Sequence, residues 1–180
     1  MSVDGSAGSL HLAFARTHCA GDITLPGLGM TQVHATKTVV YTKRDTDTWG
    51  KYLGGSNSED QALARTLGGR WVKTSATSEY AEAATFGCEL QDPAFLFEEP
   101  KEPGISRGSD TTVAGQPAIT LTYPHQDGGT VTEYVATQGR PYLLRWTRTG
   151  PEPSDITYHD FETVNPLPPP PADEVMAIGG

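Results

Sequence analysis

The chain has 180 residues, a formal net charge of −9, only 36% apolar residues, 20 glycines and 14 prolines. That length suits one domain burying roughly 70% of the surface its unfolded form exposes. The acidic balance, with no basic cluster beyond the spaced Arg140, Arg145 and Arg148, excludes nucleic acid as a partner and disfavours adsorption to an anionic membrane. No apolar run is long enough to span a bilayer.

Residues 1–8 are small and polar and read as a flexible N-terminal stub that follows a trimmed export segment. Residues 9–17 alternate Leu10, Leu12 and Phe14 against His11, Ala13 and Ala15, the period of a half-buried strand. Residues 19–25, 30–36 and 37–43 read as three more strands, with Pro26-Gly27 as a turn. The pattern then becomes helical. Trp49, Tyr52 and Leu53 lie at i, i+3 and i+4, and Gly54-Gly55 ends the stripe. Ser58 is the expected cap of a second helix through Leu67, and residues 70–73 form a short extended piece. Residues 78–87 read as a helix capped by Ser78, and Pro93 opens another that Pro100 and Pro103 end.

From residue 105 the alternation returns. Strands are expected over 105–114, 117–123, 130–138, 141–149 and 154–163, split by glycine-rich turns, with a tight hairpin at 138–141. Pro166 to Pro171 reads as polyproline II, and residues 172–178 as a last turn or two of helix. Strands and helices are segregated, which predicts an α+β fold over residues 9–178 with an antiparallel sheet. A sheet of about nine strands should curve, leaving the inserted helices to cover its concave face.

The two cysteines, Cys19 and Cys88, lie outside any CxxC pair, so neither redox chemistry nor a zinc site is indicated. Two readings are open: buried free thiols, or a structural disulfide in an oxidising compartment. The few lysines and many threonines favour the second. His18 adjoins Cys19, but neighbours on a strand point to opposite faces, so a Cys-His nucleophile is not expected. No HExxH, GxSxG or P-loop occurs, and His159-Asp160 should diverge on a strand. The expectation is a protein that is not an enzyme and holds no cofactor or metal.

Several phrases carry a family resemblance. They are residues 38–43 followed by the helix of Trp49, residues 67–73 (LGGRWVK), residues 113–118 (VAGQPA), residues 134–145 (YVATQGRPYLLR) and residues 170–175 (PPADEV). Together they resemble the secreted actinobacterial lipoproteins of the LppX, LprA, LprF and LprG group, whose half-barrel is shared with the carriers LolA and LolB. The resemblance spans about residues 9 to 178. It implies a half-barrel, an extracytoplasmic location and, in the full-length form, attachment to the cell membrane through an N-terminal lipidated cysteine that this sequence lacks. It also supports the Cys19–Cys88 disulfide, which would fasten the helical cover to one edge of the sheet and leave residues 92–104 free to move.

By the same resemblance, a hydrophobic ligand or lipid would lie between sheet and helices. The expected lining is Trp49, Tyr52, Phe86, Phe95 and Phe97 from the helical segment, facing Val39, Tyr41, Ile119, Leu121, Tyr134, Leu144 and Trp146 from the sheet. The alternative is a monomeric, non-enzymatic module that contacts a membrane sensor or another envelope protein.

Overall fold

The computed structural model describes residues 2–5, 8–15, 18–78, 81, 84, 88–89, 104–126, 128–151, 153–161 and 168–177. The fold is α+β, mostly strand with two helices, and neither of its sheets closes into a barrel among the described residues. The chain divides into two compact units, one of residues 1–9 and 92–163, the other of residues 10–91 and 164–180.

In the unit of residues 10–91 and 164–180, the strands are β2 (Gly8–Ala15, entering at Leu10), β3 (His18–Leu25), β4 (Gly29–Thr36), β5 (Val39–Lys43), β6 (Trp71–Ser75) and β12 (Val175–Ala177). They run in the order β12–β6–β5–β4–β3–β2. Register places Cys19 opposite Ala35, Val33 opposite Thr42, Val40 opposite Thr74 and Thr42 opposite Val72. Directly paired residues share a face, so these side chains form one buried surface. Helices α1 (Thr46–Tyr52) and α2 (Ser58–Leu67) pack Trp49, Ala64 and Leu67 against Val72, with Tyr52, Leu53 and Met176 at the margin. Gly29, at φ +113°, lets β4 start against α1: a Cβ there would lie 2.5 Å from the Thr48 hydroxyl.

Three expectations are corrected here. The cap of α2 is Asn57, whose side chain accepts from the Asp60 N–H at 2.8 Å; Ser58 is already helical. The C-terminal segment is no helix beyond a 3-10 turn at Ala172–Glu174. Val175–Ala177 instead form a strand parallel to β6, because Met176 finds an apolar cluster to pack on. Cys19 lies on β3, an interior strand between β4 and β2, and not on an edge.

In the unit of residues 1–9 and 92–163, the strands are β1 (Ser2–Gly5), β7 (Ser106–Val113), β8 (Gln116–Pro124), β9 (Thr130–Ala136), β10 (Leu143–Arg148) and β11 (Ser154–Thr157). They run β1–β11–β10–β9–β8–β7, each neighbouring pair antiparallel. The residues expected as a stub thus supply a strand, Val3 pairing with Ile156. The connection between β9 and β10 is residues 137–142, longer than the tight hairpin expected, and is closed by the Ala136 N–H donating to the Tyr142 carbonyl at 2.8 Å. The helices expected over 78–87 and from Pro93, and the start of the proline run, lie largely or wholly outside the described residues.

Candidate functional site

The residues expected to line one cavity do not share one surface. Trp49 is fully buried in the cluster with Val72, and Tyr52 packs beside it. Val39 and Tyr41 alternate with the buried Val40 and Thr42, so they sit on the other face of the same sheet. There Tyr41 meets the buried His34 edge to face at 5.8 Å, and His34 meets His18 at 5.8 Å. Phe86, Phe95 and Phe97 lie outside the described residues.

Arg44, which sequence reasoning passed over, sits behind Trp49. It is only 2% exposed. Its guanidinium lies 4.5 Å from the Trp49 ring centre and 4.0 Å from that of Tyr52. Its Nε donates to Thr31 Oγ1 at 2.9 Å and its Nη1 to Thr42 Oγ1 at 3.2 Å. Burial lowers its pKa, opposed by Tyr52. The aromatic faces and hydroxyls do the work a carboxylate would do elsewhere. This constellation holds α1 on the sheet and leaves Trp49 and Tyr52 committed to packing.

A bulge decides where the residues of the other unit point. The β9–β10 register shifts between Leu143 and Arg145. Leu144 therefore packs with Ala118, Ala136 and Tyr134, alongside Val113, Tyr142 and Phe161. Trp146, two residues on, lies opposite Glu133, on the face away from Tyr134. Leu121 also pairs with Glu133. Of the five expected lining residues here, Tyr134 and Leu144 share one face; Leu121, Trp146 and Ile119, which pairs with Val135, share the other.

The face of Leu121 and Trp146 carries the most distinctive chemistry. Its strands contribute Leu121 and Tyr123, Val131 and Glu133, Trp146 and Arg148, and Ile156. Tyr123, Val131, Trp146 and Ile156 are buried, and Glu133 is only 6% exposed. The Tyr123 hydroxyl donates to Glu133 Oε1 at 2.6 Å. Burial pushes the Glu133 pKa up, and the Tyr123 hydrogen bond pulls it part of the way back. The Trp146 indole N–H is buried and meets no acceptor among the described residues. Arg148, opposite Val131, lies with Nη1 3.4 Å from His125 Nε2. A signal for Glu133 was present in the sequence: it keeps phase with Val131 and Val135, a carboxyl at an inward position of β9.

On the opposite face, Arg145 pairs with Asp155, its Nε donating to Oδ1 at 2.9 Å, and lies 5.4 Å from the Tyr134 ring centre. His159 and Asp160 follow β11 instead of extending it. Asp160 takes φ +58°, which brings its carboxylate 2.7 Å from His159 Nδ1; both side chains are exposed. An open cleft of ≈ 640 Å³ separates α1 from α2, with Gly50, Gly54 and Gly55 between the charged Asp47, Lys51 and Arg65. Among the described residues, no three His, Cys, Asp or Glu side chains are grouped to hold a metal ion.

No protein-family model, curated protein or solved structure matches the chain.

Proposed function

We propose that the chain is an extracytoplasmic, lipoprotein-type binding protein of the LppX and LprG kind, which takes a hydrophobic ligand against the covered face of Leu121 and Trp146. The observation that carries this reading is the row Leu121–Glu133–Trp146, where an apolar wall bears a buried carboxyl and an indole N–H without an acceptor among the described residues. Sites for small hydrophobic molecules combine an apolar lining with a few converging polar groups. The Cys19–Cys88 disulfide supports an oxidising compartment. The half-barrel of that group, and attachment through a lipidated N-terminus, are the architecture and location this reading carries with it.

Native mass spectrometry of the purified protein, followed by organic extraction, tests the reading. A co-purifying hydrophobic molecule released only on denaturation is the expected result. Protein that emerges empty and gives no saturable binding of an apolar fluorescent dye would overturn it.

A further inference from the structure

Met176 fastens the C-terminal strand to its sheet. Strand β12 has three residues, and Met176, opposite Val72, is the one that packs against the cluster of Trp49, Ala64, Leu67 and Val72. The ion pair of this segment adds little, because Lys43 Nζ lies 3.9 Å from Glu174 Oε2 with both side chains open to water. The Met176 thioether is not sealed in. Its side chain is half-buried, and its Sγ lies 3.8 Å from Nη1 of the exposed Arg70. A thioether accepts a hydrogen bond only weakly, so the sulfur stays with the apolar cluster. A sulfoxide is polar and accepts strongly. It would leave Val72 for water and the Arg70 guanidinium. Met30, the other methionine among the described residues, is 53% exposed, so a sulfoxide there stays in water. The only two cysteines are bonded to each other, and no thiol competes for an oxidant.

We propose that Met176 is an oxidation site for peroxides, and that its sulfoxide releases β12 and makes β6 the edge of its sheet. The Met176 sulfur gives a lone pair to one oxygen of hydrogen peroxide. The S–O bond forms as the O–O bond breaks, and the proton of the transferred oxygen leaves with the departing hydroxide as water. Sulfur loses two electrons and the peroxide gains them. Release of β12 frees the backbone N–H and C=O groups that Trp71–Ser75 turn toward it, a template on which an extended segment can pair. Oxidation thereby uncovers a pairing edge that the reduced chain keeps covered. This inference does not depend on the ligand reading.

The test treats the purified, disulfide-bonded protein with hydrogen peroxide, locates each added oxygen by peptide mass mapping and follows backbone hydrogen exchange. Oxygen on Met176 should speed exchange at the amides joining β6 and β12 about tenfold, the loss expected when part of one buried methionine's packing goes. Oxygen on Met30 alone should leave those rates unchanged. Methionine sulfoxide reductases should restore them. Met176→Gln, with a polar side chain of similar length, should exchange fast without peroxide. Met176→Leu should keep β12 in place and abolish the response while Met30 still takes up oxygen. Three results overturn the proposal: Met176 untouched in folded protein whose Met30 reacts, Met176 sulfoxide with unchanged exchange, and a Met176→Leu variant that still opens under peroxide. Amides there that exchange at open-chain rates before any peroxide also overturn it, since β12 would then have no latch to lose.

Discussion

Glu133 on β9 stands directly opposite Trp146 on β10, and both are buried. A carboxyl in that position is held in its neutral form longer than in water, since desolvation penalises the charged state. Its folded-state pKa is raised above the unfolded value. The stability it contributes is therefore complete below the ordinary glutamate pKa and is lost as pH rises through the folded pKa. Glu133→Gln carries no such titration. Urea unfolding at pH 4 and at pH 8 should show the variant gaining on wild type as pH rises. A difference between the two proteins that is the same at both pH values would show that Glu133 ionises as freely as a surface residue.

Arg44 makes a second buried polar centre, stacked between Trp49 and Tyr52 and bonded to Thr31 and Thr42. Arg44→Ala removes the charge, both aromatic contacts and the volume, and should cost about 3 kcal/mol. Arg44→Met refills much of the space and removes a buried charge that no described carboxylate neutralises, so it should cost less. Arg44→Lys keeps the charge but loses the planar stacking and should fall nearer to Ala. Chemical denaturation orders the three. A methionine variant as unstable as the alanine one would mean that the hydrogen bonds, and not the packing, carry the effect.

Strand positions in this chain were legible because alternation is a local signal. Each of the strands expected from residue 105 onward is present, the first four with ends displaced by one or two residues and the last, expected through 163, ending at Thr157. The facing of particular side chains was less legible. Leu144 and Trp146 share a parity and were expected together, but the bulge between Leu143 and Arg145 separates them, and it follows from pairing with β9 and not from any residue of β10. The expected lining includes Tyr134 and leaves out Glu133, although Glu133 shares its phase with the buried Val131. The C-terminal Val175–Ala177 has too few residues to show a period. Its state is set by what Met176 packs on, which only the fold supplies.

The start of α2 separates a cap from a helical neighbour. Asn57 has extended backbone and its side chain accepts from the Asp60 N–H, while Ser58 is the first helical residue. Asn57→Ala should cost about 1 kcal/mol, and Ser58→Ala only a few tenths. The reverse order in thermal or urea unfolding would move the cap by one residue. Asp45 caps α1 in the same way, accepting from the Thr48 N–H at 2.6 Å, and that hydrogen bond lowers its pKa. The folded-state pKa is depressed, so its contribution is present above the unfolded pKa and lost as pH falls through the folded one. Asp45→Asn should therefore destabilise at pH 7 and converge on wild type near pH 2.

The Cys19–Cys88 bridge closes a loop with a sequence separation of 69. Closing a loop of that size removes enough freedom from the unfolded chain to stabilise the folded one by roughly 4 kcal/mol. The loop contains β4, β5, both helices and β6, the elements that build the cluster around Trp49. Protein from an oxidising compartment should lack the mass of two hydrogens relative to its reduced form. Reduction, or Cys19→Ala with Cys88→Ala, should lower the unfolding midpoint and speed hydrogen exchange in β4, β5 and β6. The cost should fall short of the full chain-entropy value, because Cys19 is buried on an interior strand and β3 stays paired with β4 along its whole length without the bond. A reduced protein with unchanged stability would show that the unfolded chain is already constrained by contacts inside the loop, and the bridge would then mark the compartment without contributing to the fold.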